Sequence, residues 1–149
     1  MDDIDDEAIS RRIRQSFARQ GAMKTIGAEI SRISPGVVEI ELGYDEGLTQ
    51  QHGFLHAGVI SAALDSASSY AAYTLIDTDA SLLTIEFKIN LMSPGRGERF
   101  LFRSEITKPG TNIIVADGRG YALTDGPAKL IASMTSTMMV IRGREGISG

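Results

Sequence analysis

Apolar residues recur along this chain with two different periods, and the places where the period changes divide it into elements. Over residues 6–20, Ile9, Ile13 and Phe17 fall at i, i+4 and i+8, while Arg11, Arg12 and Arg14 sit largely elsewhere. That is the spacing of an amphipathic helix lying across the surface of a fold, and Gly21 is expected to close it. From Thr25 to Ile33 and again from Val37 to Leu42 the pattern alternates about the turn "SPG", which predicts an antiparallel hairpin. Four further alternating runs follow later in the chain: "SLLTIEFKINLMSPG", "ERFLFRSEITKPG", "NIIVADGRGYALTDG" and "KLIASMTSTMMVIRG". Pro-Gly or Asp-Gly turns separate them, so six strands are expected in all.

Between the second and third strands runs "QQHGFLHAGVISAALDSASSYAAYTLI", residues 50–76. It exceeds ordinary strand length, is rich in alanine and has no Gly or Pro after Gly58, so it predicts one long helix. Ile60, Ala63, Leu64, Ala67, Ala71 and Leu75 form an apolar stripe, and the other side carries Ser61, Ala62, Ser68, Ala72 and Asp65. A helix without a charged exterior is expected to be covered on both faces, by the sheet on one and by a second copy of the protein on the other. Asp65 is then conspicuous. An ionised carboxylate among small apolar residues loses hydration unless something pairs with it or uses it.

Composition narrows the class without naming it. The 149 residues fit one domain, with residues 1–22 as a helix of that domain, 23–143 as its body and 144–149 as a tail. Hydrophobic residues make up 42% and charged residues 23%, which is ordinary for a globular chain. The absence of cysteine excludes disulfides, thiolate metal sites and a cysteine nucleophile. A net charge of −4 argues against a nucleic-acid partner. The acidic opening "MDDIDDEAIS" lacks the pattern of a secretory signal, and the mid-segment Asp65 argues against a membrane span, so a cytoplasmic protein is expected.

The order strand, strand, "QQHGFLHAGVISAALDSA" helix, then four strands including "EFKINLMSPGRGE" resembles the hotdog-fold acyl-CoA thioesterases of the PaaI-like, phenylacetic acid degradation family. The resemblance covers nearly the whole domain. The family's "HGG" stands here as His56-Ala57-Gly58, with Ala57 the departure, and its helical acid falls on Asp65. Its polar residue six before the histidine, commonly asparagine, is Gln50, and its polar residue on the next strand corresponds to Thr84. The resemblance implies an α+β hotdog fold, a six-stranded antiparallel sheet wrapped around the central helix. It also implies a homodimer or dimer of dimers, no metal or other cofactor, and hydrolysis of acyl-CoA.

Spacing adds an independent argument. Asp65 follows His56 by nine residues, which in a helix is about 13.5 Å and roughly 900° of rotation, placing the two on opposite faces. One helix cannot aim both at one carbonyl, so the acid and the helix-start turn are expected to come from different subunits. The carbonyl would sit at the helix N-terminus, with the Ala57 N–H as leading donor to the oxyanion. Asp65 would act as general base or as nucleophile, with Gln50 or Gln51 orienting water and Thr84 bonding the acid. His56 either fixes the turn or joins the chemistry, and His52 reads as a loop residue.

Gly53, Ser68, Ser69 and Asn90 complete the expected substrate-binding set, and the CoA phosphates call for Lys88, Arg96 or Arg99, with Lys108 and Arg119 as second choices. Tyr70, Tyr73 and Leu82 are candidates for the acyl tunnel, although six methionines, four tyrosines and five phenylalanines do not choose between aryl and aliphatic groups. Two rivals stand beside hydrolysis: a hydratase or dehydratase pairing a His with an acid, and a non-catalytic protein that binds acyl-CoA or an acyl carrier.

Overall fold

A computed structural model describes residues 3–149, with side chains described from Asp6 onward. The elements are α1 (Asp3–Phe17), α2 (Gly21–Ile26), β1 (Glu29–Ser34), β2 (Val37–Gly43), α3 (Ala57–Tyr73), β3 (Ala80–Leu91), β4 (Arg99–Pro109), β5 (Ile113–Leu123) and β6 (Lys129–Arg142). A single turn of 3₁₀ helix, Glu46–Leu48, precedes α3. The six strands form one sheet in the order β1-β2-β4-β5-β6-β3, every neighbour antiparallel. Among the described residues no helix is long and apolar enough to cross a membrane.

Helix α3 lies in the hollow of the sheet, as its composition demands. Ile60, Ala63, Leu64, Ala67 and Ala71 are buried against Val38, Ile40, Leu42, Phe100 and Phe102. Burial of each large apolar side chain there stabilises the fold by about 1.5–3 kcal/mol. The many alanines let the helix backbone come close to the strands.

Three local readings of the sequence need correction. The segment read as a strand from Thr25 begins instead as α2, closed by Gly27 at φ 70°, and β1 starts only at Glu29. Gly21 therefore opens a second helix rather than simply ending the first. Ser68 and Ala72, assigned to the face away from the sheet, are both fully buried, and Ser68 Oγ lies 3.0 Å from Ser104 Oγ on β4. Leu75, assigned to the buried stripe, falls beyond the end of α3 and is 42% exposed.

The outer face of α3 is covered in part by the chain itself. Ile13 of α1 is buried, with Ile9 and Phe17 packed beside it. Polar contacts fix the angle of α1: Ser16 Oγ lies 3.1 Å from the Tyr70 hydroxyl, Gln20 Nε2 donates to that hydroxyl at 3.2 Å, and Ser66 Oγ donates to Gln20 Oε1 at 3.1 Å. Arg12 donates to the Tyr73 carbonyl at 3.1 Å and lies over the Tyr73 ring. The tail returns to the same place, where Arg19 donates to the Gly149 carbonyl at 2.8 Å. Ser61, Ala62, Asp65 and Ser69 are left partly exposed.

Candidate active site

The approach to α3 is a loop tied down at several points. His56 N–H donates to the Leu48 carbonyl and Leu55 N–H to the Gly95 carbonyl, both at 2.9 Å. Gln50 Oε1 accepts from His52 N–H at 2.5 Å and from Phe54 N–H at 3.3 Å. Gly53 turns the chain at φ 81°. Gly95 is needed for contact: a Cβ there would stand 2.8 Å from Leu55 Cβ. The loop at residues 92–98 thus presses on the one that delivers Ala57.

His56 caps α3, its Nδ1 accepting from Gly58 N–H at 2.8 Å. A neutral imidazole accepting at Nδ1 carries its proton on Nε2. The Val59 and Ile60 N–H groups both donate to the His56 carbonyl, at 3.0 and 3.2 Å. Of the orphan donors in the first turn, the Ala57 N–H finds no acceptor among the described residues. Ala57 itself lines a depression of about 350 Å³ bounded also by Gln50, Phe54, Leu55, Ile60 and residues 91–95. An unpaired N–H at a helix N-terminus, opening on a cavity, suits an oxyanion.

Asp65 lies two turns further along α3. Thr84 Oγ1 on β3 donates to its Oδ1 at 2.7 Å, and Ser69 Oγ lies 3.4 Å from Thr84 Oγ1. Burial pushes the carboxyl above its ordinary value of 3.8, and the Thr84 bond pulls in the opposite direction with the smaller effect. The acid opens into a second depression, of about 500 Å³, whose walls include Ser16, Gln20, Tyr70, Tyr73, Leu82 and residues 146–148. No residue lines both this depression and the one at Ala57.

Asp65, Thr84 and Ser69 therefore stand together, with Tyr70, Tyr73 and Leu82 beside them, and Gln50 and Ala57 form a separate group. Gln51, His52 and Gly53 are exposed and line neither depression, and the Gly58 N–H is taken by His56. Ser68 is excluded from the acid's depression by its burial against the sheet. Among the cations, Arg99 is paired with Glu41 at 2.9 Å. Arg119 lies in a small depression with Arg103 and Tyr121, and Lys108 is exposed near the end of β4.

Lys88 and Asn90 project from the opposite side of β3 to Thr84. A register shift between Thr84 and Glu86 reverses the alternation, so Lys88 and Asn90 pair with Thr135 and Ser133, while Thr84, Phe87 and Ile89 pair with the buried Met138, Ser136 and Met134. Lys88 donates to Asn90 there at 3.1 Å. Arg96 alone of the expected phosphate ligands stands beside the Ala57 depression, its guanidinium 5.0 Å from the centre of the Phe54 ring. Phe54, Pro94 and Gly95 were not among the expected site residues, though the close Gly95–Leu55 contact gives the turn Ser93-Pro94-Gly95 a role beyond turning the chain.

The model of the thioesterase superfamily matches residues 52–129, more than half of the chain. The chain belongs to that superfamily. A crystal structure of a thioesterase family protein from Silicibacter pomeroyi is similar at 50% identity and TM-score 0.89, over 91% of this chain and 99% of that one. The medium/long-chain acyl-CoA thioesterase YigI of Escherichia coli is 33% identical over 99 residues, 58% of this chain and 62% of its own length. The PaaI protein from the phenylacetic acid degradation operon of E. coli shares the fold at TM-score 0.81 and 15% identity, over 93% of this chain and 96% of that one. Both the hotdog architecture and the thioester hydrolase class expected from the sequence are borne out.

Proposed function

We propose that this thioesterase hydrolyses acyl-CoA to free acid and CoA at two equivalent sites, each shared between the subunits of a homodimer. The observation that carries the reading is the separation of the Ala57 N–H from Asp65 into depressions with no common wall. Each holds half of what thioester hydrolysis needs, and a two-fold axis would bring the halves of different subunits together twice. Support for such an axis comes from β3, a twelve-residue strand at the sheet edge that exposes Leu83, Ile85, Phe87 and Leu91. A long apolar edge is a pairing surface.

In this site the thioester carbonyl oxygen accepts from the Ala57 N–H. Asp65 of the other subunit takes a proton from water as the water oxygen bonds to the carbonyl carbon, and negative charge moves onto the oxygen held at Ala57. Collapse of the tetrahedral intermediate breaks the carbon–sulfur bond, and the CoA thiolate leaves with the proton returned by Asp65. Gln50, whose Oε1 is committed to the loop, has its amide NH₂ available to orient the water. His56 serves as the helix cap, and a hydratase's His–acid pair is not what this arrangement offers. Direct attack by Asp65 through a mixed anhydride uses the same groups and differs in leaving a trapped acyl-enzyme.

Release of free thiol from a panel of aryl, medium-chain and long-chain acyl-CoAs tests the proposal. Turnover of at least one class is expected. Tight binding with no release from any of them would leave a binding protein in its place.

A further inference from the structure

The depression at Asp65 runs lengthwise along α3. Asp65, Ser69 and Tyr73, at i, i+4 and i+8 of the helix, all line it, so its floor extends about 12 Å from the acid toward the helix C-terminus. Leu82, Leu83 and Thr84 of β3 form one side. Ser16 and Gln20, both bonded to the Tyr70 hydroxyl, form the other. The far end is crossed by the tail, where Gly146, Ile147 and Ser148 complete the wall. Both α1 and the tail lie outside residues 52–129, the part that the superfamily model matches.

The tail is seated on a fixed surface. Gly146 turns the chain back at φ 80°, and the Ile147 N–H donates to the Arg144 carbonyl at 3.3 Å. Arg19 then holds the returning strand of chain by its 2.8 Å bond to the Gly149 carbonyl. Gly149 lies so close to the Tyr73 ring that a Cβ there would stand 2.8 Å from Tyr73 Cε1. Tyr73 itself cannot give way easily. Its hydroxyl lies 2.7 Å from Ser81 Oγ and accepts from the Leu82 N–H at 3.2 Å, and its ring stacks on Tyr70 at 5.6 Å.

We propose that the tail, latched by Arg19 onto Tyr73, is the end wall of the acyl groove and sets the length of acyl group that the site accepts. With the thioester carbonyl at Asp65, a short or compact acyl group fits between the acid and the wall, and a long chain must displace the tail. Arg19 and Ser148 make that end polar, so an apolar chain pressed against it would strip water from groups it cannot bond. The inference rests on the acyl-CoA reading for its ligand, and it assigns the selection to segments that the superfamily match does not include.

The test is kcat/KM for butyryl-, octanoyl- and lauroyl-CoA. In the parent it should fall by about tenfold or more at one step of this series, where added methylenes meet the wall. Arg19→Ala removes the latch, and Gly149→Val places a side chain where Tyr73 leaves no room. Each should raise the ratio of longer to shorter ester at that step by about tenfold. Gly149 is in the tail and outside the core, so its variant reports on the wall without endangering the fold. A parent indifferent to chain length, variants that keep the parental ratio, or an equal loss on all three esters overturns the proposal. Hydrolysis can fail separately: should the parent release thiol from none of the three, calorimetry with the same series reads the wall in binding alone. A preference for shorter esters that both variants lose supports the wall, and a preference that they keep, or none in the parent, overturns it.

Discussion

Thr84 on the edge strand β3 donates a 2.7 Å hydrogen bond to Oδ1 of Asp65 in the middle of α3. The bond opposes the larger effect of burial on the same carboxyl, which lies above its ordinary value of 3.8. A carboxylate raised in this way is better suited to accept a proton from water than an unperturbed one. The strand that supplies the hydroxyl also forms the exposed edge of the sheet.

Asp65→Asn is expected to lower turnover by at least about 100-fold while leaving circular dichroism and oligomeric state unchanged, because the amide fills the same space and cannot take a proton. In the parent, kcat/KM should rise with pH through a single ionisation above 3.8. The variant's residual rate should lack that limb. Parental turnover in the variant would remove Asp65 from the chemistry.

The same substitution should stabilise the fold at neutral pH. For a carboxyl whose folded pKa is above the unfolded one, the unfolded state ionises first, so the stability contribution is complete below 3.8 and is lost as pH rises through the folded value. Asparagine carries no such penalty, and its Oδ1 still accepts from Thr84. The Tm difference in favour of Asp65→Asn should therefore be near zero in acid, grow above the ordinary carboxyl value and then level off. A difference that is constant across this window would mean that burial does not burden the acid.

Removing the hydroxyl isolates its part. Thr84→Val keeps the shape of the side chain and deletes the donor, so the acid limb of kcat/KM should move to higher pH, because the bond that favours the charged carboxylate is lost. Thr84→Ser should restore the parental profile. A uniform fall in rate with no movement of the limb would show that Thr84 acts on the substrate rather than on Asp65.

Helix α3 was legible from its length and alanine content, and the four later strands because each is long and followed closely by Gly or Pro. The first hairpin was read too long because Ile26, Ala28 and Ile30 alternate as in a strand, and in the six residues of α2 only the αL Gly27 distinguishes a short helix. The face assignment of Ser68 failed because small residues carry little amphipathic signal; the position of Ser104 opposite it decides the matter, and that is tertiary. Lys88 and Asn90 were displaced from the site by one register shift on β3, which reverses every side chain after it. Asp65 and Ala57 stood out because a charge within an apolar helix and a helix start are local features, whereas Gln50 and Thr84 came from the family resemblance.

Ala57→Pro removes the proposed oxyanion donor at small structural cost. Ala57 is the first residue of α3, where proline is favoured, and its N–H bonds nothing in the described structure. His56, at φ −63° and ψ 137°, already has the extended conformation that a following proline imposes. The Tm should be unchanged or slightly raised, and turnover should fall about 100- to 1000-fold. Full activity in the proline variant would exclude this N–H from carbonyl binding.

Those two lesions together test whether the site is shared. Asp65→Asn lacks the base and Ala57→Pro lacks the donor, and neither is expected to disturb folding. Unfolded together in equal amounts and refolded, about half of the dimers should be hybrids, as random pairing about a two-fold axis dictates. If donor and base come from different subunits, each hybrid has one site with both defects and one with neither. Activity should then recover to about a quarter of the parent's, since half of the dimers carry one intact site of two. If both groups act from one chain, every site in the mixture keeps a defect and activity stays at the level of the separate variants. Native mass spectrometry counts the hybrids independently, so a mixture rich in hybrids and poor in activity would refute the division of labour inferred from the separate depressions at Ala57 and Asp65.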